Sequence, residues 1–289
     1  MSAPKTELTG TLLGVCAAFS YGITIVCNRE LATRGFGPAA SLSIRFAVAA
    51  LALLAVIAVV RRPLLPAPGE RWRALALGMV GYAGQSVLFY SAVQRGSAAA
   101  VALLFYSYPA MVALLELARR KVRWSGSLAA AMALSVGGTL VIVTAGSDVT
   151  ITTAGVVFAL ASAASFGVYM LAAAVATPRT DSLTNGAWVA IGASLAITGF
   201  GVVTGSLRAP GSSWWLMVIN GLATGSAFVL LFAAVRRLGA SRTAIVMTVE
   251  ALSAVVLSAV VLDERIGLRQ AAGGIAILAA TAVISSQRR

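Results

Sequence analysis

The chain has 289 residues, of which 59% are hydrophobic and 11% charged, and its mean hydropathy is +0.92; no water-soluble domain of this length needs so much apolar surface. A net charge of +13 does not point to nucleic acid, because the basic residues sit in short connectors between apolar runs and form no stripe or folded patch. Without a single histidine the chain can build neither a Ser/His hydrolase site nor a histidine metal site, and no Gly-rich lysine loop offers to hold nucleotide phosphates.

Crossing a bilayer takes about 20 mostly apolar residues, and ten stretches qualify. Helices are predicted over 9–27, 38–60, 72–93, 97–118 and 126–144, then over 152–175, 183–205, 214–235, 240–262 and 268–286. Lys5 ahead of the first run imitates an export signal. No small-x-small cleavage site is clear, and Val15 before Cys16 argues against a lipoprotein cleavage box, so the run is read as a retained helix. Cys16 and Cys27 both lie on it, about 16 Å apart along its axis, too far to bridge.

Helical spacing picks out candidate lining residues in chain order. Helix one offers Tyr21, Thr24 and Asn28, and helix three aligns Tyr82, Gln85 and Phe89. Helix four offers Phe105 and Tyr108 just before Pro109, a residue that removes a backbone hydrogen bond and is expected to kink the helix. Helix six offers Phe166 and Tyr169, helix eight aligns Asn220, Thr224 and Phe228, and helix nine aligns Thr243, Met247 and Glu250. Together they describe an apolar, aromatic cavity with a few polar handles, the usual make-up of a small-molecule site. Gly137-Gly138 and Gly273-Gly274 permit close approach of helices five and ten, which are read as scaffold away from that site. Trp72, Trp124, Trp188, Trp214 and Trp215 sit near span ends, as belt residues do.

Charges within spans are costly and usually face the protein interior. Glu250, near the middle of helix nine, reads either as a contact for a substrate amine or a proton-coupling carboxyl, or as a structural carboxyl paired with Arg242, Arg45 or backbone. Arg45, about two turns inside helix two, reads as structural, its long side chain snorkelling to the outer interface. Glu116 has Arg120 one turn on and reads as a surface pair. An aromatic cavity with one carboxyl suits neutral amino acids, the carboxyl meeting the ammonium and the rings the side chain. Replacing Glu250 by Gln or Tyr82 by Ala is expected to reduce flux without reducing folded yield.

The ten spans repeat as two sets of five. Gly10, Ala18, Ser20 and Gly22 match Gly155, Ala163, Ser165 and Gly167 at an offset of 145, with Tyr21 opposite Phe166. Ala92-Val93, Arg95, Ala98, Ala102, Thr139 and Val141-Ile142 match Ala234-Val235, Arg237, Ala240, Ala244, Thr281 and Val283-Ile284 at 142. This divides the chain into repeats over 1–148 and 149–289. Five is odd, so the second repeat must enter the membrane from the side opposite to the first. Such inverted repeats give a carrier two pseudo-equivalent conformations with the substrate near the midplane.

Basic residues orient the whole. Lys5, Arg61, Arg62, Arg71, Arg73, Arg119, Arg120, Lys121, Arg123, Arg179, Arg236, Arg237, Arg242, Arg288 and Arg289 fall on one face, against Arg29, Arg34, Arg95, Arg208, Arg265 and Arg269 on the other. Both termini are therefore predicted cytoplasmic.

The run Gly10 to Gly22 ending in Tyr-Gly, then Pro38, then Ser-Ile-Arg-Phe at 43 to 46, resembles the ten-helix drug/metabolite transporter superfamily, in its class with two EamA-type domains. So do Val-Glu-Ala-Leu at 249 to 252, Leu-Asp-Glu-Arg at 262 to 265 and the Gly273-Gly274 helix. Where that family often has Glu-Pro in helix nine, Glu250 precedes Ala251; the matching slot of the first repeat holds Pro109. The family's acidic residue after helix nine matches Glu264, with Val122 as its first-repeat counterpart. The resemblance implies an all-α polytopic carrier of the bacterial inner membrane that exports small metabolites, commonly amino acids. It is expected to run on gradients as a monomer among membrane lipids, with no cofactor, metal or nucleic acid and no enzymatic activity. A carrier or flippase for other lipophilic solutes, and a non-transporting scaffold, are the alternatives.

Overall fold

The computed structural model describes residues 3–121, 124–145, 150–261 and 267–286. Val122, Arg123, Arg288, Arg289 and the Leu-Asp-Glu-Arg motif with Glu264 and Arg265 lie outside the described residues. Among the described residues ten helical segments follow one another: α1 Ala3–Thr33, α2 Pro38–Val59, α3 over 71–93, α4 over 98–118, α5 Gly126–Thr144, α6 Thr153–Val175, α7 Ser182–Val203, α8 Trp214–Leu238, α9 Ala240–Val261 and α10 Leu268–Ser286. Eight of the segments are long and apolar enough to cross a membrane; α3 is interrupted by a π-helical turn, and the apolar run of α10, Leu268–Ile284, is shorter. Among the described residues there is no strand, only an isolated bridge between Gly96 and Ile151. Helices suit the bilayer because they satisfy their own backbone polar groups where water is absent.

Local chemistry sets the ends. Ser97, Ser125 and Thr152 each accept a hydrogen bond from a backbone N–H of the first turn they precede, as does Asp181 from Leu183 and Thr184. Pro38 opens α2, where its missing N–H costs nothing. A single residue, Gly239, joins α8 to α9, and its φ of +83° explains why glycine stands there.

Packing maps onto itself when the halves are exchanged. α1 lies along α8 as α6 lies along α3, while α2 pairs with α7 and α5 with α10. Gly10, at the start of α1, sits against Arg237 and Leu238 at the α8–α9 turn. Its counterpart Gly155, at the start of α6, sits against Arg95 in the α3–α4 connector. Three crossings precede that connector and eight precede the α8–α9 turn, so these twin contacts lie at opposite faces and the repeats are inverted. The start of α5, the end of α8, the start of α9 and the end of α10 meet with α1 in one cluster of Leu128, Leu238, Ile245, Ile284 and Val15. The face carrying that cluster, where α1 begins and α10 ends, is called the basic face below.

Small residues let backbones touch. A Cβ on Gly138 would stand 2.6 Å from Gly273 O, and one on Gly273 2.5 Å from Gly138 O, so α5 and α10 meet on one glycine from each pair. Gly137 has open space around it, and Gly274 packs on Leu252 of α9. In the same way Gly78 of α3 lies against the backbone of α7 at Val189, and Gly192 of α7 against Leu75 and Met79. The π-turn Leu77–Tyr82 falls at this contact.

Candidate functional site

Two of the helices are broken at corresponding places. In α4, Ala98–Phe105 ends and Tyr108–Ala118 begins after a turn at Tyr106-Ser107, with Pro109 in the first turn of the new helix. Proline therefore stands where helices tolerate it, after a break and not in the midst of a kink. In α9, Ala240–Met247 ends at Thr248 and Val249–Val261 follows without any proline. Tyr106 and Thr248 are related by the offset of 142, so the turn that Tyr106 opens in the first repeat falls in the second on Thr248, whose hydroxyl bends back to donate to Ile245 O at 2.7 Å. Glu250 consequently belongs to the first turn of a new helix and not to one continuous face with Thr243 and Met247.

Between the halves lies a cavity of about 390 Å³. Its walls are Tyr21, Thr24, Ile25, Asn28 and Arg29 of α1, Leu42 and Arg45 of α2, Tyr82, Gln85, Ser86, Phe89, Tyr90 and Val93 of α3, and Ala102, Phe105 and Tyr106 of α4. Among the described residues the second repeat contributes Phe166 of α6 and Glu250 of α9. From Tyr21, Tyr82 and Glu250 at mid-depth it extends to Arg29 and Val93, at the ends of α1 and α3 away from the basic face. Arg29 and Ile25 at that end are exposed.

Several lining groups are held by named partners. Gln85 Nε2 donates to Ser162 Oγ at 3.1 Å, and Ser162 Oγ donates to the Gln85 carbonyl, tying α3 to α6. Asn28 Oδ1 accepts from Asn220 Nδ2 at 2.8 Å and from Ser41 Oγ at 3.3 Å. Thr24 Oγ1 donates to the Tyr21 carbonyl. Arg45 does not snorkel to the surface: it is 6% exposed, its Nη2 lies 3.4 Å from Tyr82 Oη, and its Cζ stands 4.7 Å from the centre of the Phe46 ring. Glu250 is half-buried, and neither Arg45 nor any other described basic group comes within ion-pair distance of it. Arg242 is taken by Glu7 at 3.1 Å.

The cavity gathers Tyr21, Thr24, Asn28, Tyr82, Gln85, Phe89, Phe105, Phe166 and Glu250 from the sequence candidates. Tyr108, Tyr169, Asn220, Thr224, Phe228, Thr243 and Met247 lie outside its lining, each buried. Asn220 spends its amide on Asn28, and Thr224 Oγ1 donates to the Asn220 carbonyl. Tyr169 and Phe228 pack edge-on against Tyr82 at centroid distances of 5.5 and 4.8 Å, making Tyr82 the hub of an aromatic cluster. Each such pair contributes about 0.5–1.5 kcal/mol beyond its buried area. Tyr82→Ala would therefore cut into the core, and Tyr82→Phe is the substitution that leaves it intact.

Towards the basic face the cavity is shut. The second half of α4 packs on the first half of α9, whereas among the described residues the exchange-related pair, the first half of α4 and the second half of α9, makes no comparable contact. Tyr108 Oη donates to Ala244 O at 3.3 Å, and its ring meets Phe166 edge-on at 4.9 Å. Ser241 donates to the Glu116 carboxylate through both its N–H and its hydroxyl. Glu116 is thus a cap on α9 rather than a surface partner of Arg120.

Over residues 8–144 and again over 153–286 the sequence matches the EamA-like transporter family. The chain belongs to that family. It is a multi-pass membrane protein of EamA type, from a family of transporters and not of enzymes. One solved crystal structure of a protein superposes on this EamA chain with a TM-score of 0.82 at 19% identity, covering 96% of this chain and 98% of that one, a likeness of fold. No curated protein matches it.

The EamA fold also holds a latch that the sequence reading missed. Glu70, in the connector before α3, is 1% exposed and accepts from the backbone N–H groups of Arg179 and Thr180, from Thr180 Oγ1 at 2.6 Å and from Arg179 Nε at 3.3 Å. Arg236 of α8 donates to the carbonyls of Thr180 and Pro178. Burial pushes the Glu70 carboxyl up, but the hydrogen bonds from Thr180 and Arg179 outweigh it and hold the group below its ordinary value of 4.5. Because the folded-state value is the lower one, the latch contributes its full stability above that ordinary value and loses it as pH falls through the folded-state value. Glu70→Ala is expected to lower stability by about 2–3 kcal/mol near neutral pH. Thermal unfolding in detergent reads this loss, and an unchanged melting temperature would show that the latch holds nothing.

Proposed function

We propose that this EamA transporter is a secondary carrier that exports small metabolites, foremost amino acids with neutral or aromatic side chains, across the bacterial inner membrane by alternating access, with both termini cytoplasmic. The observation that carries this reading is the aromatic cavity with one unpaired carboxyl, open towards the face opposite the basic one and shut towards the basic face. A substrate's ring fits among Tyr21, Tyr82, Phe89, Phe105 and Phe166, and its ammonium meets Glu250. With the basic face in the cytoplasm, this is the outward-open state of the cycle. The sequence resembles the aromatic amino acid exporter YddG, which agrees with such a cavity. Glu250 is also the candidate for proton coupling, the titratable group that solute and proton would share.

A second reading, a carrier for more lipophilic solutes, is favoured by a recess of about 190 Å³ between α2, α3 and α7. It shares Leu42 and Tyr90 with the main cavity and reaches Val87 and Phe200, both exposed where lipid would lie. Counterflow of radiolabelled amino acids into proteoliposomes, with and without a pH gradient and in competition with lipophilic drugs, separates the two. Saturable counterflow of aromatic amino acids is the expected result. Drug-sensitive flux without amino acid counterflow would hand the function to the second reading.

A further inference from the structure

Among the described residues Arg45 is a cation with no ion-paired anion. The guanidinium carries five N–H donors and no acceptor, and a buried charge of this kind is costly unless it is paired and hydrogen-bonded. Here Nε is buried with no hydrogen-bond partner, and Nη2 has only the Tyr82 hydroxyl at 3.4 Å, a long contact. No carboxylate among the described residues forms an ion pair with Arg45. Its side chain nonetheless lines the same cavity as Glu250, which among the described residues forms no ion pair either.

We infer that Arg45 and Glu250 form a two-pole site, in which Arg45 takes the carboxylate of a zwitterionic α-amino acid while Glu250 takes its ammonium. This rests on the amino acid reading above and deepens it by assigning Arg45 a role in specificity. One positive and one negative group across an aromatic chamber match a solute that is neutral overall yet charged at both poles. A dianion such as a phosphate ester would set two negative charges beside Glu250, and a plain amine would leave the guanidinium empty. The fork of Arg45 suits a carboxylate in particular, since two parallel N–H donors can meet its two oxygens. With Tyr82 beside the guanidinium, the phenol holds the fork in place from α3 while the cavity side stays free for substrate.

The test uses three compounds against counterflow of radiolabelled L-phenylalanine in proteoliposomes: L-phenylalanine itself, L-phenylalaninamide, which lacks the carboxylate, and 3-phenylpropionate, which lacks the ammonium. In the unaltered protein the amino acid should compete about tenfold or more better than either analogue, the worth of a hydrogen-bonded charge. Arg45→Met should bring the amide level with the amino acid, and Arg45→Lys, which keeps the charge but not the fork, should fall between. An amide that competes as well as the amino acid in the unaltered protein overturns the two-pole site, and this arm needs no variant to fold. An Arg45→Met protein that still prefers the free carboxylate overturns it too. Absence of L-phenylalanine counterflow in the unaltered protein strikes instead at the amino acid reading beneath it, and takes this inference with it.

Discussion

Glu250→Gln is expected to reduce amino acid counterflow by about tenfold to a hundredfold while leaving the folded yield unchanged. Glutamine keeps the size of the side chain and removes only the charge, and a hydrogen bond to a charged group is worth about 1.5–3 kcal/mol. The expectation of unchanged yield separates a substrate contact from a structural carboxyl. Removing one partner of a buried ion pair costs about 3–5 kcal/mol and leaves the other charge stranded, but among the described residues no ion pair holds Glu250: Arg242 is engaged by Glu7, and Arg45, whose charge acts on Glu250 across the cavity, forms no ion pair with it. If Glu250 also carries the coupling proton, the variant's residual flux should no longer respond to a pH gradient. Monodisperse yield by size-exclusion chromatography, set beside counterflow, decides the matter; a loss of yield matching the loss of flux would make Glu250 a structural group.

Much of the architecture was legible because the bilayer writes it into hydropathy. Segment lengths, the odd count in each repeat and the small-residue pairs all follow from the need to bury backbone and bring helices close without a hydrophobic force between them. The site was legible only in part. The face Tyr21, Thr24, Asn28 lies on an unbroken helix, so simple spacing placed it against the cavity. On α3 the same spacing succeeded for Tyr82, Gln85 and Phe89 but stopped before Tyr90 and Val93, which continue the wall towards the open face. The π-turn that ends at Tyr82 has no periodic signature; its only trace in the sequence is Gly78, which reveals itself once α7 lies against it. The break in α9 was hidden as well, since Ala251 stands where the first repeat has Pro109. Its one hint was the repeat itself, which places Thr248 opposite Tyr106. Seven candidates fell outside the lining because a buried side chain at helical spacing looks alike whether it meets a ligand or a neighbouring helix. Glu70 was missed, and Glu116 given the wrong partner, for a different reason: Thr180 and Ser241, which they hold, stand more than a hundred residues away in sequence.

Cross-linking the second half of α4 to the first half of α9 is expected to abolish transport while leaving substrate binding from the open face intact. In a Cys16→Ser, Cys27→Ser background, cysteines introduced as Glu116→Cys and Ser241→Cys would replace the two side chains that now share a hydrogen bond, and a short reducible bis-thiosulfonate would join them. The reason lies in the asymmetry of an otherwise exchangeable fold. α1 on α8 repeats as α6 on α3, and the breaks at Tyr106-Ser107 and Thr248 recur, yet among the described residues α4 and α9 pack extensively on each other near the basic face and not at the opposite one. An inverted repeat has a second state in which the two halves trade conformations. In it the first half of α4 would close on the second half of α9, while the pair now in contact, Tyr108–Ala118 and Ala240–Met247, would part. A bridge across that pair forbids the second state and nothing else, so bound substrate could leave only by the way it came. Reduction of the bridge should restore flux. Complete cross-linking with undiminished counterflow would mean that α4 and α9 do not separate during transport, and the gate would have to be sought elsewhere in the molecule.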